Sequence, residues 1–166
     1  AQYLALQQDL RSAGLAHRVA LLEVSVDPGR DSPYRLGRYA TEFGANWTLL
    51  TGTPDDLHRF WRFFGVTYEI VPQHNPPARD WLTGQPLTYD VAHINGFILI
   101  DRSGHERFFD ANAPNLSGRL SPRLKSLLTA QGIHNLNDPG PSWTLEDLVN
   151  AVGWLVGENI PMRTNS

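Results

Sequence analysis

The 166-residue sequence contains no cysteine. Disulfides, thiol catalysis and thiolate metal sites are therefore excluded within these residues. Only one of the fourteen basic residues is lysine, Lys125, and no basic stripe is long enough to indicate nucleic-acid binding. No apolar run approaches the roughly 18 residues of a membrane-spanning helix, and no signal peptide is recognisable.

A hydrophobic fraction of 41% and seventeen aromatic side chains are typical of a globular chain with a proper core. The length predicts one domain over residues 1–166. The chain starts without methionine, already in helical pattern. We therefore expect a domain truncated at its N-terminus, from which a natural segment is missing.

Helices and strands are predicted to alternate along the first half of the chain. Helices are expected at residues 1–13, 33–43 and 54–64, the second capped by Ser32 and the third by Thr53, each followed by proline. A largely buried strand is expected at residues 19–26. Shorter strands are expected at 47–51 and 66–71.

The second half predicts a hairpin and two helices. Strands at 97–100 and 106–109 flank a turn, a short helix follows over 122–130 and ends by Gly132, and Ser142 caps a last helix. Residues 72–88, rich in proline, are predicted to be a long irregular loop, and 111–120 and 133–141 are predicted to be loops on either side of the short helix. Early parallel strands and a late antiparallel hairpin indicate an α/β fold with a thioredoxin-like, three-layer α/β/α layout. Its central sheet would be mixed, ending in the hairpin plus helix.

His93 precedes the apolar run Gly96 to Ile100 by three residues. A lone histidine beside a core strand is most often a structural residue that donates to a carbonyl. The tandem Asp55–Asp56 is explained by a helix N-terminus, and Asp27 by the Asp-Pro-Gly turn that it begins. No nucleophile elbow, phosphate-binding loop or zinc-protease helix is present, so no catalytic residue is assigned.

Several segments taken together resemble the SCO/SenC family of copper chaperones for cytochrome c oxidase assembly. The segments are Val24-Ser25-Val26-Asp27-Pro28 with Asp31 and Pro33, Trp47 to Pro54, Phe64-Gly65-Val66, and His93 before Phe97-Ile98-Leu99-Ile100-Asp101-Arg102-Ser103-Gly104. The resemblance extends over about residues 1–109. Its order and spacing are specific as a set, although each segment alone is weak.

The resemblance implies a thioredoxin-like fold and copper as the bound metal, Cu(I) or Cu(II). Family members hold copper with two cysteines of a CxxxC motif and one distant histidine, whose position His93 matches. Copper favours thiolate and imidazole ligands. Asp27 matches an acid near the metal, with an orienting or tuning role. The resemblance also implies a partner, a copper-oxidase subunit or another copper chaperone. It implies a periplasmic or extracytoplasmic location in preference to the mitochondrial intermembrane space. Membrane attachment would be only through an N-terminal anchor that is not among these residues.

The sequence departs from the family where the metal binds. The CxxxC would fall upstream of Ala1, so these residues hold an incomplete copper site. Residues 72–88 and 111–141 are longer than the family pattern and are interpreted as insertions. Two alternatives remain open: a cysteine-less thioredoxin-fold binding module, with Trp81 as a partner contact, and a peroxiredoxin-like thiol enzyme. Thiol–disulfide exchange also needs cysteines upstream of Ala1.

Overall fold

The computed structural model describes residues 2–116, 120, 122–126, 128 and 130–162. Its helices are α1 (Gln2–Ser12), α2 (Pro33–Phe43), α3 (Pro54–Phe63), α4 (Pro122–Ser126), α5 (Ala130–Asn137) and α6 (Leu145–Val156). Its strands are β1 (Leu22–Val24), β2 (Thr48–Leu50), β3 (Tyr68–Pro72), β4 (Tyr89–His93), β5 (Phe97–Ile100), β6 (Glu106–Asp110), β7 (Ala113–Pro114) and β8 (Ser142–Trp143). The chain forms two compact units, Leu21–Ile94 and the remainder.

Within Leu21–Ile94, the helix ends follow the local sequence. The Ser32 side chain accepts a hydrogen bond from the Arg35 N–H, and the Thr53 side chain accepts one from the Asp56 N–H. Gly44 ends α2 at φ 67°, in the left-handed region that suits glycine. The predicted caps of α2 and α3 are therefore confirmed.

Strand β1 is shorter and more exposed than predicted. Of residues 19–26, only Leu22–Val24 form a strand, parallel to β2, and the Leu22 side chain is 48% exposed. Among the described residues, β2 is the single strand that pairs with β1. The flanking residues 19–21 and 25–26 are not part of a strand.

Strands β3 and β4 form an antiparallel ladder in which Tyr68 lies opposite His93. The sequence analysis missed β4, because it extended the proline-rich loop up to Thr88 and left YDVAH unassigned. The connection between the two strands is also more ordered than predicted. It folds back on itself through an isolated bridge between Arg79 and Pro86.

The other unit packs α1 and α6 together with the β5–β6 hairpin. Its core is apolar, with Phe97 edge-on to Trp143 at 5.0 Å between ring centroids. The buried side chains are Leu6, Leu10, Leu15, Phe97, Leu99, Trp143, Leu145, Leu148, Val149, Val152 and Ile160. The predicted hairpin and the predicted last helix are confirmed, and the buried face of α6 includes Leu145, Leu148, Val149 and Val152.

Two predictions in this unit are wrong in detail. Thr144, not Ser142, caps α6, because Ser142 lies in β8 opposite Ala113. Helix α5 continues through Gly132 into residues predicted as loop. A glycine inside a helix costs only about 1 kcal/mol, which neighbouring contacts can offset. The predicted 111–141 insertion is described only in part. Its residues 117–119, 121, 127 and 129 lie outside the described residues.

The mixed α/β class is confirmed, with an early parallel pair and a late antiparallel hairpin. The described strands make two ladders in each unit: β1–β2 and β3–β4 within Leu21–Ile94, and β5–β6 and β7–β8 within the other unit.

Candidate functional site

His93 is the last residue of β4, and its side chain is exposed. Its ring Nδ1 lies 2.9 Å from the carbonyl oxygen of Ile94. A carbonyl oxygen only accepts hydrogen bonds, so Nδ1 carries the proton in this contact. The neutral ring then has its lone pair on Nε2, which is the arrangement that a metal-ligating imidazole needs.

Asp27 begins the turn that follows β1, and only 9% of the residue is exposed. Its backbone carbonyl accepts hydrogen bonds from the N–H groups of Arg30 and Asp31, at 3.1 and 2.9 Å. Its own N–H donates to the Ser25 hydroxyl at 2.8 Å. Asp27 therefore organises the Asp-Pro-Gly turn, as the simpler interpretation of the sequence predicted.

The Asp27 carboxylate also reaches a distant residue. Its Oδ1 accepts a hydrogen bond from the Tyr89 hydroxyl at 2.9 Å, and its Oδ2 accepts one from Arg30 Nε. No hydrogen bond or ion pair joins Asp27 to His93 in the described part of the chain. The structure thus brings Asp27 to the first residue of the strand that ends at His93.

Electrostatics strengthen this contact. Burial raises the pKa of the Tyr89 phenol, and the hydrogen bond to Asp27 raises it further. Burial disfavours the charged Arg30 guanidinium, but its hydrogen bond to Asp27 and the Coulombic attraction of Asp27 and its neighbours together outweigh burial, so its pKa is raised. Tyr89 therefore stays a protonated donor, and Arg30 stays charged, throughout the neutral range.

A second chain of contacts links the same turn to the loop between β3 and β4. The Ser25 hydroxyl donates to Asp31 at 2.7 Å, and Asp31 lies 3.5 Å from the Arg35 guanidinium. Arg35 Nη1 is in turn 2.7 Å from Asp80, and both side chains are largely buried. This ion pair ties the loop to α2.

The Trp81 side chain also attaches the loop between β3 and β4 to α2. Its ring lies edge-on to Phe43 at 5.6 Å and to Tyr39 at 6.2 Å, and the Arg35 guanidinium lies 5.1 Å from the ring centroid. The half-buried Trp81 is thus engaged within the unit. Its role as a partner contact stays a prediction.

The aromatic residues of α3 differ in exposure. Phe63 is 81% exposed, while Trp61 donates its indole N–H to the Ser25 carbonyl at 2.8 Å. Phe60 is 37% exposed. Its ring packs on Trp61 and Phe64, with centroids 5.0 and 5.1 Å away, so it is covered by neighbours on the same helix.

The described residues place no cluster of three or more His, Cys, Asp or Glu side chains where they could hold a metal together. His93 therefore offers one imidazole nitrogen, and copper would need further ligands from elsewhere. His74 lies exposed in the loop before β4. By donor chemistry, the residues present fit one position of a copper site and do not complete it.

Comparison with known proteins decides the family. The sequence profile described as SCO1/SenC matches residues 1–118. This chain belongs to the SCO1/SenC family. The resemblance inferred from the motifs is confirmed, and the matched range includes both Asp27 and His93.

One solved structure similar to this member of the SCO1/SenC family is Bradyrhizobium japonicum ScoI with copper bound. The two chains share 23% sequence identity, the match covers 76% of this chain and 72% of that one, and the TM-score is 0.49. Comparison with curated proteins gives no match. None of the helices in the described ranges combines the length and apolar character needed to cross a membrane.

Sequence reasoning singled out His93 and Asp27 and missed Tyr89, Arg30 and Gln73. A signal for Tyr89 was present, because Tyr89, Val91 and His93 occupy alternate positions and so share one face of a strand. A prediction of β4 would have placed Tyr89 and His93 on the same face of that strand. The contact with Asp27 spans 62 residues and has no local signature.

Proposed function

We propose that this SCO1/SenC chain carries copper as cargo and delivers it for the assembly of cytochrome c oxidase. His93 Nε2 supplies one ligand, and two thiolates come from a CxxxC motif upstream of Ala1. The observation that carries the proposal is the His93–Ile94 hydrogen bond, which holds an exposed imidazole with Nε2 ready to bind. Family membership and the copper named for Bradyrhizobium japonicum ScoI support it.

Transfer of the metal then proceeds by ligand exchange with a copper-oxidase subunit or another copper chaperone. An exposed imidazole at the end of a strand suits such an exchange, because an incoming ligand reaches the metal without opening a core. We further propose that the full protein is attached to a membrane by an N-terminal anchor and faces the periplasm. With both upstream cysteines present, thiol–disulfide exchange is a second activity of the same site.

The test is an anaerobic Cu(I) titration of the natural gene product against a competing chelator. We expect His93→Ala to weaken binding by at least about tenfold, which corresponds to about 1.4 kcal/mol. His58→Ala is the matched control, because His58 is also exposed but lies on α3. Equal affinity of His93→Ala and the unmodified protein, or a gene product without upstream cysteines, overturns the copper proposal.

A binding module without metal chemistry is the second candidate function. It is favoured by the absence of cysteine from these 166 residues and by two large apolar side chains at the surface, Phe63 at 81% and Ile70 at 70% exposure. Such side chains can mark a partner surface. The same titration separates the two candidates, since a binding module gives no copper affinity that depends on His93.

A further inference from the structure

Tyr89 and His93 stand at opposite ends of β4 and on the same face of the strand. Four residues of strand place them roughly 13 Å apart. Strand β4 pairs with β3 alone among the described strands. Because an isolated two-stranded hairpin is only marginally stable in water, the position of His93 depends on what else holds β4.

Tyr89 makes several contacts that fix the start of β4. Its hydroxyl donates to Asp27 Oδ1 at 2.9 Å, and its carbonyl oxygen accepts from Gln73 Nε2 at 2.7 Å and from Arg30 Nη1 at 3.4 Å. The Arg30 guanidinium also lies 4.5 Å from the centre of the Tyr89 ring. Tyr89 thus joins the start of β4 to the turn after β1, and through Gln73 to the loop between β3 and β4.

Asp27, which accepts the hydrogen bond from the Tyr89 hydroxyl, is itself held in place. Asp27 is largely buried, its N–H is bound to Ser25, and its second carboxylate oxygen is bound to Arg30. Space at this point is tight as well, since a Cβ added to Gly29 would lie 2.8 Å from the Tyr89 hydroxyl oxygen. The Asp27–Tyr89 hydrogen bond is therefore made between groups that have little freedom to move.

We propose that Tyr89 is a positioning residue for His93, and that Asp27 acts on the site by holding Tyr89 rather than by touching the ligand. This inference rests on the proposed function and adds a residue to it. In this proposal Asp27 does not tune the metal directly. The turn at Asp27 holds Tyr89, Tyr89 holds the start of β4, and β4 positions His93. Loss of the Tyr89 hydroxyl loosens the strand and lets the imidazole leave its binding position.

The experiment uses Tyr89→Phe, which removes the hydroxyl and keeps the ring. In the natural gene product, we expect it to weaken Cu(I) binding by about tenfold, the lower end of the range over which supporting contacts affect metal sites. In the His93→Ala background, Tyr89→Phe should change nothing further, because its effect passes through His93. Tyr34→Phe is the matched control, since Tyr34 is 71% exposed on α2.

Two further measurements separate positioning from general weakening of the fold. In the copper-free protein, the amides of β4 should exchange hydrogen faster in Tyr89→Phe than in Tyr34→Phe. Leu57→Val alters a side chain that is buried in α3 of the same unit, and it should lower the melting temperature while leaving copper affinity unchanged.

The outcomes are distinct. If His93→Ala leaves affinity unchanged, the proposed function fails. If His93→Ala weakens binding but Tyr89→Phe does not, the copper proposal stands and the positioning role fails. If Tyr89→Phe still weakens binding in the His93→Ala background, Tyr89 acts on another part of the site and the route through β4 is wrong.

Discussion

The ring Nδ1 of His93 donates its proton to the carbonyl oxygen of Ile94, the next residue, across 2.9 Å. This hydrogen bond joins the last residue of β4 to the residue that follows the strand. It selects one tautomer of an exposed imidazole before any metal arrives. Nε2 of the neutral ring then keeps its lone pair.

This tautomer can be measured directly. In the copper-free chain at alkaline pH, where free imidazole is neutral, nitrogen NMR should show His93 mainly with its proton on Nδ1. Exposed His58 serves as the comparison and should show the mixture typical of a solvated ring. A His93 ring with its proton mainly on Nε2 would contradict the assignment of Nε2 as the ligand atom.

The loop between β3 and β4 should come free when Arg35 is removed. Arg35→Ala leaves the buried Asp80 carboxylate without its guanidinium and uncovers the Trp81 ring. Breaking a buried ion pair in this way costs roughly 3 kcal/mol. We expect faster tryptic cleavage after Arg79 and altered tryptophan fluorescence. Arg38→Ala, an exposed change on the same helix, should cleave at the original rate, and equal rates for both variants would refute the attachment.

Tyr39 should make stability fall at alkaline pH. Burial raises the pKa of its phenol to about 12, from an ordinary value of 10.0. The unfolded chain therefore loses this proton at lower pH than the folded chain does. The contribution of Tyr39 is complete below pH 10.0 and is lost as the pH rises through about 12. Tyr39→Phe should flatten the fall in unfolding free energy over this range, and an unchanged slope would argue against a buried phenol.

The capping box of α6 should contribute measurably to stability. The Thr144 side chain accepts from the Asp147 N–H, and the Asp147 carboxylate accepts the Thr144 N–H at 2.8 Å. Thr144→Ala should lower the unfolding free energy by about 1 kcal/mol in urea. Ser142→Ala, at the position predicted from sequence to be the cap, should have a much smaller effect. The reverse order would restore Ser142 as the cap.

Low pH should remove part of the stability that the capping box of α6 contributes. The hydrogen bond from the Thr144 N–H, foremost, and the one from its hydroxyl hold the pKa of Asp147 below its ordinary value of 3.8. A depressed pKa stabilises the fold above 3.8, and this stability is lost as the pH falls through the lower folded value. Asp147→Asn should therefore show a shallower loss of stability in acid than the unmodified chain.

The sequence alone determined those features whose causes lie within a few residues. Ser32 with Pro33 and Thr53 with Pro54 define helix starts because a cap acts on the next turn of the same helix. The order of short motifs was enough to identify the family and to single out His93. Where two caps competed, as Ser142 and Thr144 did, local chemistry could not choose between them. Pairing of Ser142 with Ala113, a distant residue, made the choice.

Only the tertiary structure decided how far β1 extends, that β4 exists, and what Asp27 and Trp81 contact. The Asp27–Tyr89 bond joins residues 62 positions apart, and the Arg35–Asp80 pair joins a helix to a later loop. No periodicity records such contacts, because their energy comes from chain segments that meet only after folding. For this protein the sequence singled out His93 and Asp27, and the folded chain showed which residues they contact.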